Sequence, residues 1–181
     1  MIEFKVERGA EIPKYMTELA SGMYVTAFKI LKVFRGDREI DPDNLEKVQK
    51  GFNERGYIKL RSLERILFGT GVSAVLPKNM ELQVRDRGGI SLKKGLSVLN
   101  SPGTIDADYT GEIGVIIYNS TPFLNKIEKG ERIAQIVPAL IYRPEIKTST
   151  AIYVLGVDPY KREENDTGRG SAGFGSTGSH S

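Results

Sequence analysis

The sequence predicts a mostly β fold, a sandwich or barrel with one helical insertion, on three observations. Short runs of β-forming residues recur along the chain with Gly, Pro and Asn between them. The run Ile113–Tyr118 (IGVIIY) is continuously apolar, as suits a strand buried on both faces. Only one segment carries a full set of helix signals.

Taken in order, Glu3–Val6 alternates in polarity and Met23–Lys32 is rich in β-formers. Leu67–Leu76 (LFGTGVSAVL) stops at Pro77, which lacks the N–H that a continuing strand needs. Met80–Val84 alternates again, and Arg132–Ile141 and Ala151–Leu155 follow Ile113–Tyr118. The exception is Asp41–Gly56, DPDNLEKVQKGFNERG. Asp41 can cap, Pro42 sits where a missing N–H does no harm, and Gly56 follows the last turn. Leu45, Val48 and Phe52 form one stripe at helical spacing. We expect a short helix packed on the β body, as an insertion spanning about residues 34–60.

From Lys161 onward, KREENDTGRGSAGFGSTGSHS offers one large apolar side chain, Phe174, among glycines and hydroxyls. Such a stretch buries too little to fold by itself. The expected organisation is therefore a β domain over residues 1–160 and a flexible Gly-rich arm over 161–181.

Composition removes several chemistries. The chain has no Cys, and its single His is the penultimate residue His180. Disulfides, thiolate nucleophiles and core His-based triads or zinc sites are thus excluded. A balance of 26 basic and 23 acidic residues is too even for a nucleic-acid surface. The N-terminal MIEFKVERGAE has no apolar core of a secretory signal, and no run approaches a membrane span, so a cytoplasmic location is expected.

Catalysis must then come from carboxylates, hydroxyls, Arg, Lys, backbone amides or a metal. In Asn100–Ile113 (NSPGTIDADYTGEI), Pro102-Gly103 predicts a hairpin turn with exposed backbone groups. Asp106 and Asp108 stand at i and i+2, on one face if the strand is extended. There they can hold Mg²⁺ through water, or one can act as a general base. On the local pattern alone, a solvated acidic turn is the competing reading. Arg85–Gly95 (RDRGGISLKKG) sets cations around two glycines, and GERIAQ (130–135) adds another polar cluster. Each taken singly also reads as a solvated basic turn. In the arm, Arg169, Ser176, Thr177 and the glycines could wrap a triphosphate, with Phe174 stacked on a base.

The ordered set Gly88-Gly89-Ile90 with Lys93, NSPGTIDADYTGEI, GERIAQ and RGSAGFGSTG resembles the motif series of trimeric dUTPases, over residues 61–178. The resemblance implies a jelly-roll-like all-β fold of the β-clip kind and a homotrimer whose active sites are shared between subunits. It also implies hydrolysis of dUTP to dUMP and pyrophosphate with Mg²⁺ bridging the triphosphate. Asp106 would activate the attacking water. Tyr109 would lie under the deoxyribose and exclude a 2′-hydroxyl. Asn100 and the turn backbone at Gly103, Thr104 and Ile105 would read uracil. Arg87, Gly88, Gly89 and Gln135 would serve the phosphates. Arg169, Gly175, Ser176 and Thr177 would close on them, with Phe174 over the uracil.

Two positions depart from the family pattern. Tyr24, in Ser21-Gly22-Met23-Tyr24-Val25, stands where an Asp is expected, and Gly88 stands where a Ser is expected. A non-catalytic nucleotide binder on the same fold is therefore a rival. A dCTP deaminase is another, but the position of its catalytic Glu, five residues after Gly111, is Ile116.

Overall fold

The computed structural model describes residues 1–146. They form thirteen strands and two helices: β1 Glu3–Val6, β2 Met23–Thr26, β3 Lys29–Arg35, β4 Arg38–Glu39, α1 Pro42–Arg55, β5 Tyr57–Leu60, β6 Arg65–Gly69, β7 Val72–Val75, β8 Met80–Asp86, α2 Gly88–Lys94, β9 Leu96–Val98, β10 Gly103–Ile105, β11 Gly114–Asn119, β12 Asn125–Glu128 and β13 Arg132–Leu140. All of these lie in a compact unit, Met1–Tyr142, and among the described residues none lies in the following unit, Arg143–Ser181. The expected strand Ala151–Leu155, the arm and the boundary at residue 160 fall outside the described residues. Among the described residues no helix is long and apolar enough to cross a membrane.

Two antiparallel sheets carry the architecture, one of four strands ordered β10-β8-β13-β2 and one of five ordered β4-β3-β6-β11-β9. The pairs β1-β7 and β12-β5 complete it. The core lies where the alternating faces meet: Met23 and Val25 of β2, Leu82 and Val84 of β8 and Ile136 of β13 are buried with Ile66 and Phe68 of β6 and Val115 and Ile117 of β11. This makes the fold all-β with a helical insertion, as the strand pattern predicted.

The helix expected at 41–56 runs from Pro42 to Arg55. Asp41 caps it by accepting the Asn44 N–H at 3.0 Å, and Gly56 ends it at φ 75°. Its stripe is anchored by Phe52, fully buried against Phe68 with ring centroids 6.1 Å apart. Gln49 Oε1 also accepts the Ile30 N–H of β3 at 2.6 Å. The insertion thus contributes to the core.

Several expectations need correction. Met23–Lys32 and Leu67–Leu76 are each two strands, the second broken at Gly71, whose φ of 70° suits only glycine. The run at 113–118 is buried on one face only, with Val115 and Ile117 inward and Ile116 and Tyr118 half-buried. The strands flanking Pro102-Gly103 do not form a hairpin with each other, since β9 pairs with β11 while β10 pairs with β8. The turn instead carries the chain from one sheet to the other. The basic loop at 85–95 contains α2, whose Ile90 is buried and which ends on Gly95 at φ 60°.

Candidate active site

Asn119 is the last residue of β11 and ties that strand to the loops beside it. Its side chain is buried, donates to the carbonyls of Leu60 (3.0 Å) and Phe123 (2.8 Å), and accepts from the Thr121 N–H, the Thr121 hydroxyl and the Asn125 amide. Every polar group of the amide is satisfied, as burial demands. On the opposite side of β11, Gly114 and Ile116 turn toward a cleft.

That cleft, about 320 Å³, is lined by Leu31, Leu67, Asn100, Thr104, Ile105, Asp106, Tyr109, Glu112, Gly114 and Ile116. Gly103 has no room for a side chain without displacing Asn100, whose amide nitrogen would lie 3.0 Å from an added Cβ. The exposed Asn100 amide and Asp106 carboxylate take part in no hydrogen bond or ion pair within the described residues. Tyr109 leans over Gly111 and donates to the Glu112 carbonyl at 2.8 Å. Asp106 and Asp108 do not share a strand face, because β10 stops at Ile105 and the Tyr109 N–H closes a turn onto the Asp106 carbonyl at 3.1 Å. Asp106 lines the cleft and Asp108 does not.

Glu112 is the other carboxylate in the cleft, but it is engaged. It accepts the Gly71 N–H at 2.6 Å and pairs with Lys29 at 3.1 Å. Burial pulls Lys29 toward neutrality, yet hydrogen bonds to Glu7 and Glu112 and their charges outweigh it and hold its pKa above the ordinary value. Lys29 stays charged and Glu112 stays pinned, which leaves Asp106 as the unengaged carboxylate of the cleft. Ile116, in the cleft wall, carries no proton-transfer group.

A second cluster lies on the half-exposed face of the other sheet. Tyr24, Gln135 and Arg85 are direct cross-strand partners on β2, β13 and β8, and so face the same side. Gln135 donates to the Asp86 carbonyl at 2.9 Å. Arg87 follows β8 with its guanidinium 5.1 Å from the Tyr24 ring centroid, and Gly88 and Gly89 are exposed at the start of α2. The cleft therefore gathers Asn100, Thr104, Ile105, Asp106 and Tyr109, while Arg87, Gly88, Gly89 and Gln135 stand apart from it. Arg169, Phe174, Gly175, Ser176 and Thr177 lie outside the described residues.

Sequence reasoning missed the apolar wall of Leu31, Leu67 and Ile116. For Ile116 the two-residue strand period was a usable signal, whereas Leu31 arrives through tertiary pairing alone. A larger depression of about 450 Å³, lined by Arg35, Asp41, Lys47 and Arg55 among others, lies beside α1 and shares no residue with the cleft.

Comparisons with known proteins identify the family and the fold. The sequence model of the dUTPase family matches residues 55–178. The chain is 37% identical over 172 residues to a deoxyuridine 5′-triphosphate nucleotidohydrolase of Fusobacterium nucleatum, covering 95% of this chain and 92% of the relative. It is 45% identical over 121 residues to one from a Hydrogenobaculum species, covering 67% and 76%. Among solved structures, a mutant dUTPase of Staphylococcus bacteriophage 80alpha with dUpNHpp superposes with a TM-score of 0.66 at 22% identity, covering 98% of each chain. A mutant dUTPase of phage phi11 of S. aureus, described with a structural Mg(II) ion, gives 0.61 at 17% identity, covering 85% of this chain and 99% of the other. These two likenesses speak to the fold; the sequence matches, set beside a cleft that holds an unengaged aspartate, show that this chain belongs to the dUTPase family.

Proposed function

We propose that the chain is a dUTP diphosphatase that hydrolyses dUTP to dUMP and pyrophosphate by in-line attack of water at the α-phosphorus. The observation that carries this is the free Asp106 carboxylate at the mouth of a cleft that also holds an unpaired Asn100 amide and Tyr109. Asp106 orients the water and takes its proton as the phosphorus–oxygen bond forms and pyrophosphate leaves. Asn100, with the backbone of Gly103, Thr104 and Ile105, reads the uracil edge. The Tyr109 ring fills the space that a 2′-hydroxyl would need.

Arg87, Gly88, Gly89 and Gln135 serve the phosphates. In this reading the arm residues Arg169, Gly175, Ser176 and Thr177 close over them, with Phe174 on the base. Among the described residues no three acidic or His side chains converge to cage a metal. In this reading Mg²⁺ would arrive with the substrate, held by the triphosphate and water. Bound there, it would supply positive charge against the leaving phosphates.

Register supports an oligomer. Ile105 pairs with Leu82, so Asp106 lies near Glu81, while Arg87 follows the far end of β8. Six residues of strand separate these levels, roughly 20 Å at about 3.3 Å per residue. One triphosphate does not span that gap, so Asp106 and Arg87 of one chain serve different substrates. A homotrimer in which neighbours supply the missing halves resolves the mismatch.

The test is incubation with dUTP, dCTP, dTTP or UTP plus Mg²⁺, with pyrophosphate and ammonia measured separately. Pyrophosphate from dUTP alone and no ammonia is expected. Binding of dUTP without turnover would favour a nucleotide sensor instead, and ammonia from dCTP would favour a deaminase.

A further inference from the structure

Tyr24 does something that an aspartate at its position could not. The guanidinium carbons of Arg87 and Arg132 lie 5.1 and 5.2 Å from the centroid of its ring. Two cations share one aromatic ring, and neither belongs to an ion pair among the described residues. The acids nearest in sequence are engaged elsewhere. Asp86 accepts the Val98 N–H at 2.6 Å, and Glu131 pairs with Lys94 at 2.5 Å. The contact between the two arginines is a long hydrogen bond, 3.5 Å, from Arg87 Nη1 to the Arg132 carbonyl. Arg87 Nε is buried with no partner at all.

The backbone places Arg132 there on purpose. β13 carries a bulge against β2 between Arg132 and Ala134, and Ile133 and Ala134 are buried in succession. An extra residue reverses the alternation of a strand. Arg132 and Gln135, three apart, would face opposite sides of a regular strand. Here both are half-buried on the side of Tyr24. Cation–π attraction to one ring offsets only part of the repulsion between two neighbouring positive charges. A carboxylate in place of Tyr24 would pair with them and cancel their charge. An aromatic face holds them and leaves that charge available.

Resting on the dUTPase reading above, we propose that Tyr24 is a positioning residue that holds Arg87 and Arg132 as a pair, and that Arg132 is a second guanidinium on the substrate's phosphate chain. The pair recognises two or more linked phosphates rather than a nucleoside or a monophosphate. Charge-assisted bonds of this kind correspond to roughly 10- to 100-fold in affinity.

The test titrates the full-length protein with three probes in the presence of Mg²⁺: dUpNHpp, dUMP and inorganic tripolyphosphate. Arg132→Gln should weaken dUpNHpp and tripolyphosphate about tenfold or more while dUMP affinity stays within about twofold. Tyr24→Leu should weaken the same two probes, and Tyr24→Phe, which keeps the face and drops the hydroxyl, should recover most of the loss. In turnover, KM for dUTP should rise more than kcat falls. Unchanged dUpNHpp affinity in Arg132→Gln overturns the proposal, as does a parallel loss of dUMP binding, which marks a structural role. Absence of dUTP turnover by the wild type overturns the enzymatic reading alone, because tripolyphosphate binding still reports on the pair.

Discussion

At the level of single residues, Asp106 and Glu112 sit in one cleft with opposite fates. Glu112 is consumed by Gly71 and Lys29, whereas Asp106 is open to solvent and free to meet a water. Asp106→Asn should therefore lower kcat by roughly 10²- to 10⁴-fold, the usual worth of a general base, while dUpNHpp still binds. Steady-state kinetics beside calorimetry check this, and retained turnover would remove Asp106 from the base role. Gly88 permits the converse experiment. An added Cβ there meets nothing within 4 Å, and Gly88 is exposed, so Gly88→Ser installs a hydroxyl beside Arg87 without a clash. If that donor limits the phosphate site, kcat rises, by up to the 10²–10³ that one preorganised donor can supply. An unchanged or lower kcat would show that the site is complete without it. Asp106, Asn100 and Tyr109 were legible in the sequence because one short motif holds them all. Arg132 was not, because its orientation depends on a bulge that only the pairing of β13 with β2 reveals.

Among the elements, α1 and α2 show why one helix was readable and the other was not. The limits of α1 follow from local chemistry at Asp41, Pro42 and Gly56. α2 opens on two glycines with no side-chain cap at Arg87, and burial of Ile90 is what recommends it. Its helicity comes from tertiary contact, which propensity does not see. The hairpin expected at Pro102-Gly103 failed for a similar reason, since a turn signal fixes the turn and not the partners of the flanking strands. The cap on α1 makes a pH-dependent prediction. The Asn44 backbone N–H, and then its side-chain amide, hold the Asp41 carboxyl below its ordinary pKa. A depressed folded pKa gives stability that is present above the unfolded value and lost as pH falls through the folded one. Thermal melts of the wild type should lose ground to Asp41→Asn as pH drops below about 4, because the amide still caps but does not titrate. Parallel acid limbs for the two proteins would contradict this. Phe52 ties the same helix to the body, and Phe52→Ala should lower unfolding free energy by about 3–5 kcal/mol in denaturant titrations. A loss under about 1 kcal/mol would mean that the insertion is only draped on the surface.

For the whole molecule, the sheet register sets Asp106 and Arg87 near opposite ends of β8, and the proposed function makes these two half-sites. In the proposed reading, the sheet-crossing turn, β10 and the facing strands of the five-stranded sheet would serve uracil and water, and the other end of β8 with β2 and β13 would serve the phosphates. Sequence motifs put both halves in one list but say nothing about which chain supplies which. Mixing subunits separates the possibilities. Asp106→Asn and Arg87→Gln proteins, each inactive alone, would be unfolded together in equal amounts, refolded and assayed for dUTP hydrolysis. If Asp106 of one chain works with Arg87 of another, random assembly should restore roughly a quarter of wild-type activity. A refolded mixture as inactive as its components, while wild type treated in the same way recovers, would contradict the account.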